Sequence, residues 1–106
     1  MKRQRVVGAS LVAATVVVAG LLAGCGGSLY AIEATGASAK LEEAKALGAE
    51  KQAPYEYYLA REHLNKASEE AAQGDYGDAI DLAEIADEAA DKAIRLTREA
   101  QRGAGR

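Results

Sequence analysis

The chain lacks most of what builds chemistry or a large core. Among its 106 residues there is no Phe or Trp, and one each of Cys, His, Pro and Met. A single Cys excludes a disulfide framework within the chain. One Cys with one His excludes a Cys/His zinc site and leaves no spare ligand beside a Cys–His nucleophile. The length excludes a Rossmann or barrel enzyme. Branched aliphatics are unevenly spread, with all six valines between Val6 and Val18. Positive charge is also short, with 13 Lys and Arg against 16 Asp and Glu.

What is present begins with an address. Lys2, Arg3 and Arg5 precede an uncharged apolar run from Val6 to Ala23 that is softened by Gly8, Ser10, Thr15 and Gly20. This is the layout of an export signal, with the positive end kept on the cytoplasmic side. The run is marginal in length for a spanning helix. It ends in Leu22, Ala23, Gly24 and Cys25. The segment resembles a bacterial lipoprotein signal, and these four residues match the lipobox at all four positions. The resemblance implies signal-peptidase recognition through Leu22, Ala23 and Gly24, diacylglyceryl transfer to the Cys25 thiol, cleavage before Cys25 and acylation of the new amine. A thiol suits this step because its thiolate is a good nucleophile at modest pH. Two or more acyl chains suffice for lasting attachment, so the expected partner is a lipid bilayer held through Cys25. No other cofactor is expected. Gly26 stands where an Asp often retains such lipoproteins in the inner membrane. The expected address is therefore the cell envelope, at the outer membrane facing the periplasm if the host has one, otherwise the cytoplasmic membrane facing outward.

The domain reading follows. Residues 1–24 are read as the signal peptide and 25–28 as the lipidated Cys with a flexible tether of Gly26, Gly27 and Ser28. Residues 29–102 are read as a helical domain and 103–106 as a frayed tail. Without residues 1–24, 82 residues remain, with ten Lys and Arg against sixteen Asp and Glu. Such an acidic surface gains no adhesion from an anionic bilayer and offers no basic stripe for nucleic acid. On this reading, membrane attachment comes from the lipid and not from the folded surface.

Helical periodicity dominates the rest. Helices are expected at about 29–52, 54–73 and 78–102. The first seam is Tyr30, Ala34, Ala37, Leu41, Ala44 and Gly48, with Thr35-Gly36 weakening it. Pro54 suits the first turn of the second helix. Its seam is Tyr57, Ala60, Leu64, Ala67 and Ala71, with Glu62 and Lys66 as an i,i+4 surface pair. Gly74 suits the following turn, and Asp75 or Asp78 the next cap. The third seam is Leu82, Ala86, Ala89, Ala93, Leu96 and Ala100. Acids crowd that helix's first half and bases its end, which complements the macrodipole. The fold class expected is all-α: a signal helix followed by a two- to three-helix antiparallel hairpin or bundle. Its alanine-rich seams favour close axes but bury little area, so a marginal monomer or self-association is expected.

Two further resemblances rest on these residues. From Leu64 to Ala86 the chain resembles the tetratricopeptide repeat, with Ala67, Gly74, Tyr76, Ala79 and Ala86 at its small and aromatic positions. Glu70 and Ala83 depart from it, and the match gives a single repeat-like hairpin. The whole chain resembles short, alanine-rich, helical envelope lipoproteins of unknown function. Its carriers are the lipobox, Ala53-Pro54-Tyr55, Gly74-Asp75-Tyr76 and the last helix.

Few residues invite chemistry. His63 lacks a nucleophile and an orienting partner and is read as a flank residue. Asp75, Asp78 and Asp81 lack the calcium-loop pattern and are read as caps, so no metal is expected. Tyr55 and Tyr58 lie three apart and form a candidate partner surface, while Tyr57 is assigned to the core. The acids Asp81, Glu84, Glu88 and Asp91 form a second candidate surface, for a basic partner. The function expected is non-enzymatic: a membrane-anchored scaffold or adaptor for another envelope protein, with no nucleic acid and no small-molecule substrate. The alternative is a self-associating spacer between membrane and cell wall.

Overall fold

The computed structural model describes residues 26–105. The expected signal peptide, including Leu22, Ala23 and Gly24, and the expected lipidation site Cys25 lie outside the described residues.

The described chain is all-α. Helix α1 covers residues 26–47, α2 is Ala49–Gln52, α3 is Pro54–Ala72 and α4 is Tyr76–Ala104. Each boundary has a local cause. Gly48 takes a left-handed backbone, φ 94°, and splits the first expected helix into α1 and the single turn of α2. A side chain at that φ is strained, which is why Gly stands there. Pro54 occupies the first turn of α3, where its missing N–H is no loss. Helix α3 stops in a Schellman motif. Gly74, φ 84°, donates to the Ala71 carbonyl at 3.0 Å, and Asp75 N–H donates to the Glu70 carbonyl at 2.9 Å.

The two turns set the topology. The Gly74 turn folds α3 antiparallel against α4, and Lys92 of α4 meets Glu56 of α3 at 3.7 Å. The Gly48–Ala53 reversal lays α1 alongside α4 and parallel to it. The contacts keep this register from end to end. Gly26 and Gly27 meet Tyr76, Lys40 meets Asp87 and Asp91, Glu43 meets Arg98, and the Leu47 carbonyl meets Gln101. The result is an up-down-up bundle with α4 touching both other long helices.

At two expected boundaries the described residues are helical. Gly26, Gly27 and Ser28, expected as a flexible tether, are helical and belong to α1. A Cβ added at Gly26 would stand 3.2 Å from the Tyr76 Cβ, so the absent side chain lets the helix lie close against Tyr76. The expected frayed tail also continues as helix through Ala104, with Gly105 N–H still donating to the Gln101 carbonyl at 3.2 Å.

The core is built from alanine. Among the described residues, twelve of the fourteen buried hydrophobic residues are Ala, the others being Tyr57 and Ile94. Alanine lets helix axes approach to the short end of the usual spacing, about 8 Å. One group gathers Ala44, Ala49, Ala53, Tyr57, Ala93 and Ile94 where α1, α2, α3 and α4 meet. A second gathers Ala60, Ala89 and Ala90, with Leu41 and Leu59 against it. The innermost stripe of α4 runs Ala79, Ala83, Ala86, Ala90, Ala93 and Thr97, all essentially inaccessible. It shares Ala86 and Ala93 with the expected Leu82–Ala100 seam, whose Ala89 is also buried but whose Ala100 is exposed. Space between three helices admits only small side chains, so the leucines sit on the flanks.

Thr97 is the anomaly in this stripe. It is fully buried, and its hydroxyl has no hydrogen-bond partner among the described residues. Leaving a buried hydroxyl unpaired costs about 1–3 kcal/mol. Thr97→Val keeps the shape and removes that cost. We expect it to raise the urea midpoint by the equivalent of about 1 kcal/mol with an unchanged slope.

Candidate functional site

His63, half-buried, turns its Nδ1 to the Leu59 carbonyl at 2.9 Å within its own helix. Among the described residues no group of three or more His, Cys, Asp or Glu could hold a metal ion. Asp75 occupies the N-cap position of α4 but makes no side-chain cap bond. Its charge still lies at the positive end of the helix.

The tyrosine surface is built by the start of α3. Pro54 fixes the helix origin, after which one turn places Tyr57 inward and Tyr55 and Tyr58 outward. Tyr57 is 4% exposed, against 71% for Tyr55 and 40% for Tyr58. Burial, then the nearby Glu50 carboxylate, pushes the Tyr57 hydroxyl above its ordinary pKa. Tyr55 and Tyr58 share an open groove of about 430 Å³ with Pro54, Leu59, Glu62 and His63. The Tyr58 ring has two close neighbours. It meets the Tyr57 ring edge-on at 5.1 Å, and the Arg61 guanidinium lies 4.7 Å over it. Arg61 is in turn steadied by Glu62, with two contacts of 3.0 and 3.2 Å. This pairing displaces the expected Glu62–Lys66 pair. Lys66 instead reaches Glu70 at 2.9 Å and Glu69 at 3.2 Å.

The groove is thus an aromatic and apolar strip with a cation on one side, at the end of the bundle remote from residue 26. The 22 described residues of α1 put this end about 33 Å from residue 26 at 1.5 Å per residue. Spacing alone indicated Tyr55 and Tyr58. It did not indicate Leu59, Arg61 and His63, which join them through the helical i,i+3 and i,i+4 relation.

The acidic surface is less open than its spacing suggested. Asp81, Glu84, Glu88 and Asp91 are all exposed along α4. Asp91, however, accepts a 2.7 Å bond from Lys40 of α1, which also donates to Asp87 at 2.7 Å. The bond to Asp87, joined by that to Asp91, raises the Lys40 ammonium above its ordinary pKa. Glu88 and Asp91 also border an open cleft of about 740 Å³ with Lys92, Arg95, Arg98 and Arg102. The continuous acidic run therefore ends by Glu84, and mixed charge follows.

No helix of the described residues is long and apolar enough to cross a membrane. A family profile described as a domain of unknown function, DUF4398, matches residues 33–104. No curated protein and no solved structure matches the chain.

Proposed function

We propose that this chain, which belongs to the DUF4398 family, is a lipid-anchored, non-enzymatic helical adaptor of the cell envelope. The anchor is the acylated Cys25 of the lipobox, and the working end is the Tyr55–Tyr58 groove. One observation carries the reading. Two aromatic side chains stand exposed at the end of the bundle farthest from the anchor, where solvation alone gives no reason for them. Tethering confines that end to a thin layer about 33 Å above a leaflet and raises its effective concentration for a partner in the same layer. The fully buried Ala67 and Ala79 support the tetratricopeptide-like reading of the α3–α4 hairpin, because they let two helices pack closely at the Gly74 turn. The partner is another envelope protein.

Two measurements test this on one strain. Labelled palmitate is expected on the wild-type chain and absent from Cys25→Ser, which also keeps its uncleaved signal peptide. A photo-crosslinker placed at Tyr55 is expected to trap one dominant protein, and trapping is expected to fade when Tyr58 is changed to Ser. Unlabelled wild type removes the anchor. Trapping only of the chain itself replaces the adaptor by a self-associating spacer.

A further inference from the structure

We propose that the end of the bundle next to Cys25 is itself a seat on the membrane, with Leu29 and Ile32 of α1 inserted at the headgroup–acyl boundary of the leaflet that holds the anchor. This rests on the lipid-anchor reading above and adds a second, protein-borne attachment to it.

Leu29 is 48% exposed and Ile32 68% exposed. They lie three apart and therefore share one face of the helix. They follow Cys25 by only four and seven positions. The absence of a tether makes that proximity count. Gly26 and Gly27 are helical and pressed on Tyr76, so no slack separates the bundle from the position that carries the lipid. Leu29 and Ile32 stand only about 4.5 and 9 Å of helical rise beyond Gly26, the residue bonded to Cys25. Helical side chains lean toward their own N-terminus, which brings both apolar groups nearer the leaflet. An interfacial helix buries its apolar face about 5–10 Å deep.

The same end carries the paired rings of Tyr30 and Tyr76, whose centroids are 6.5 Å apart. Tyrosine at this height is at home in the headgroup layer. Charge argues for an apolar contact rather than an electrostatic one. Asp75 and Asp78 stand exposed on the neighbouring turn, and acids do not draw the chain to anionic lipid. The seat is therefore insensitive to salt.

The chain contains no Trp, so I32W installs a single fluorophore, and I85W on the flank of α4 serves as the control. Each full-length variant is isolated from membranes in its processed form and placed in vesicles of phosphatidylethanolamine and phosphatidylglycerol, with or without lipids brominated on the acyl chain. I32W emission is expected to shift to shorter wavelength and lose intensity with brominated lipid, at low and high salt alike, while I85W does neither. Emission at the wavelength of I85W overturns the seat. A blue shift without bromine quenching also overturns it and assigns the patch to a second copy of the chain. Intact mass of the same sample separates the two ideas. An acylated chain with unquenched I32W sinks the seat alone, and an unacylated chain sinks the anchor together with the seat built on it.

Discussion

Changing Tyr57 to Ala is expected to leave the bundle largely unfolded at room temperature. Tyr57 is the one aromatic side chain among the buried hydrophobic residues, and Ala44, Ala49, Ala53, Ala93 and Ile94 close around it. Alanines cannot lean in to fill the space, because they have no side-chain freedom and sit on helices already close together. Truncating a buried aromatic costs about 3–5 kcal/mol, and a core of this size rarely supplies more than that in total. Far-UV circular dichroism should therefore fall toward the unfolded signal. Tyr57→Phe keeps the ring and its edge-on contact with Tyr58, and should melt within a few degrees of wild type. A native spectrum for Tyr57→Ala would mean that stability resides elsewhere.

Ala90→Leu is the second large effect, in the opposite steric direction. Ala90 is fully inaccessible, with Ala60 and Ala89 beside it and Leu41 and Leu59 packed around them. Three added carbons have no room unless α4 moves away from its neighbours. Overpacking a tight core costs about 1–3 kcal/mol, more when whole helices must separate. The expected result is a urea midpoint lowered to near zero, whereas the same change at exposed Ala100 leaves it unmoved. If the two variants melt alike, the close approach of the helices is not what holds the bundle together.

The contrast between these two positions also explains how much the sequence disclosed. The helical class, the antiparallel hairpin at Gly74 and the inward assignment of Tyr57 follow from spacing, Pro54 and a glycine between two periodic runs. The innermost face of α4 does not. Leu82 and Leu96 attract attention as the most apolar residues of their stripe, yet the deepest positions are Ala83, Ala90 and Thr97. Alanine recurs on every side of that helix, so its pattern does not distinguish a centre from a flank. Gly48 falls at the interval of a seam, although the same residue type breaks the helix there. Gly26 and Gly27 read as slack in the sequence because glycine tolerates any backbone. Only the distant Tyr76 makes their small size a packing device. The candidate surfaces divide in the same way. Tyr55 and Tyr58 were legible from their offset to Tyr57. The capture of Asp91 by Lys40 joins residues 51 positions apart and leaves no local signature.

The parallel run of α1 beside α4 has a mechanical corollary. Helix α1 alone connects the bundle to residue 25, and it grips α4 by rungs spaced along its length: Lys40 to Asp87 and Asp91, Glu43 to Arg98, and the Leu47 carbonyl to Gln101. A pull on the far tip of α4 against a fixed start of α1 slides one helix lengthwise past the other. The rungs are then loaded together in shear instead of peeling one after another. A slender domain with a soft core can in this way carry tension between a fixed leaflet and whatever its tip holds.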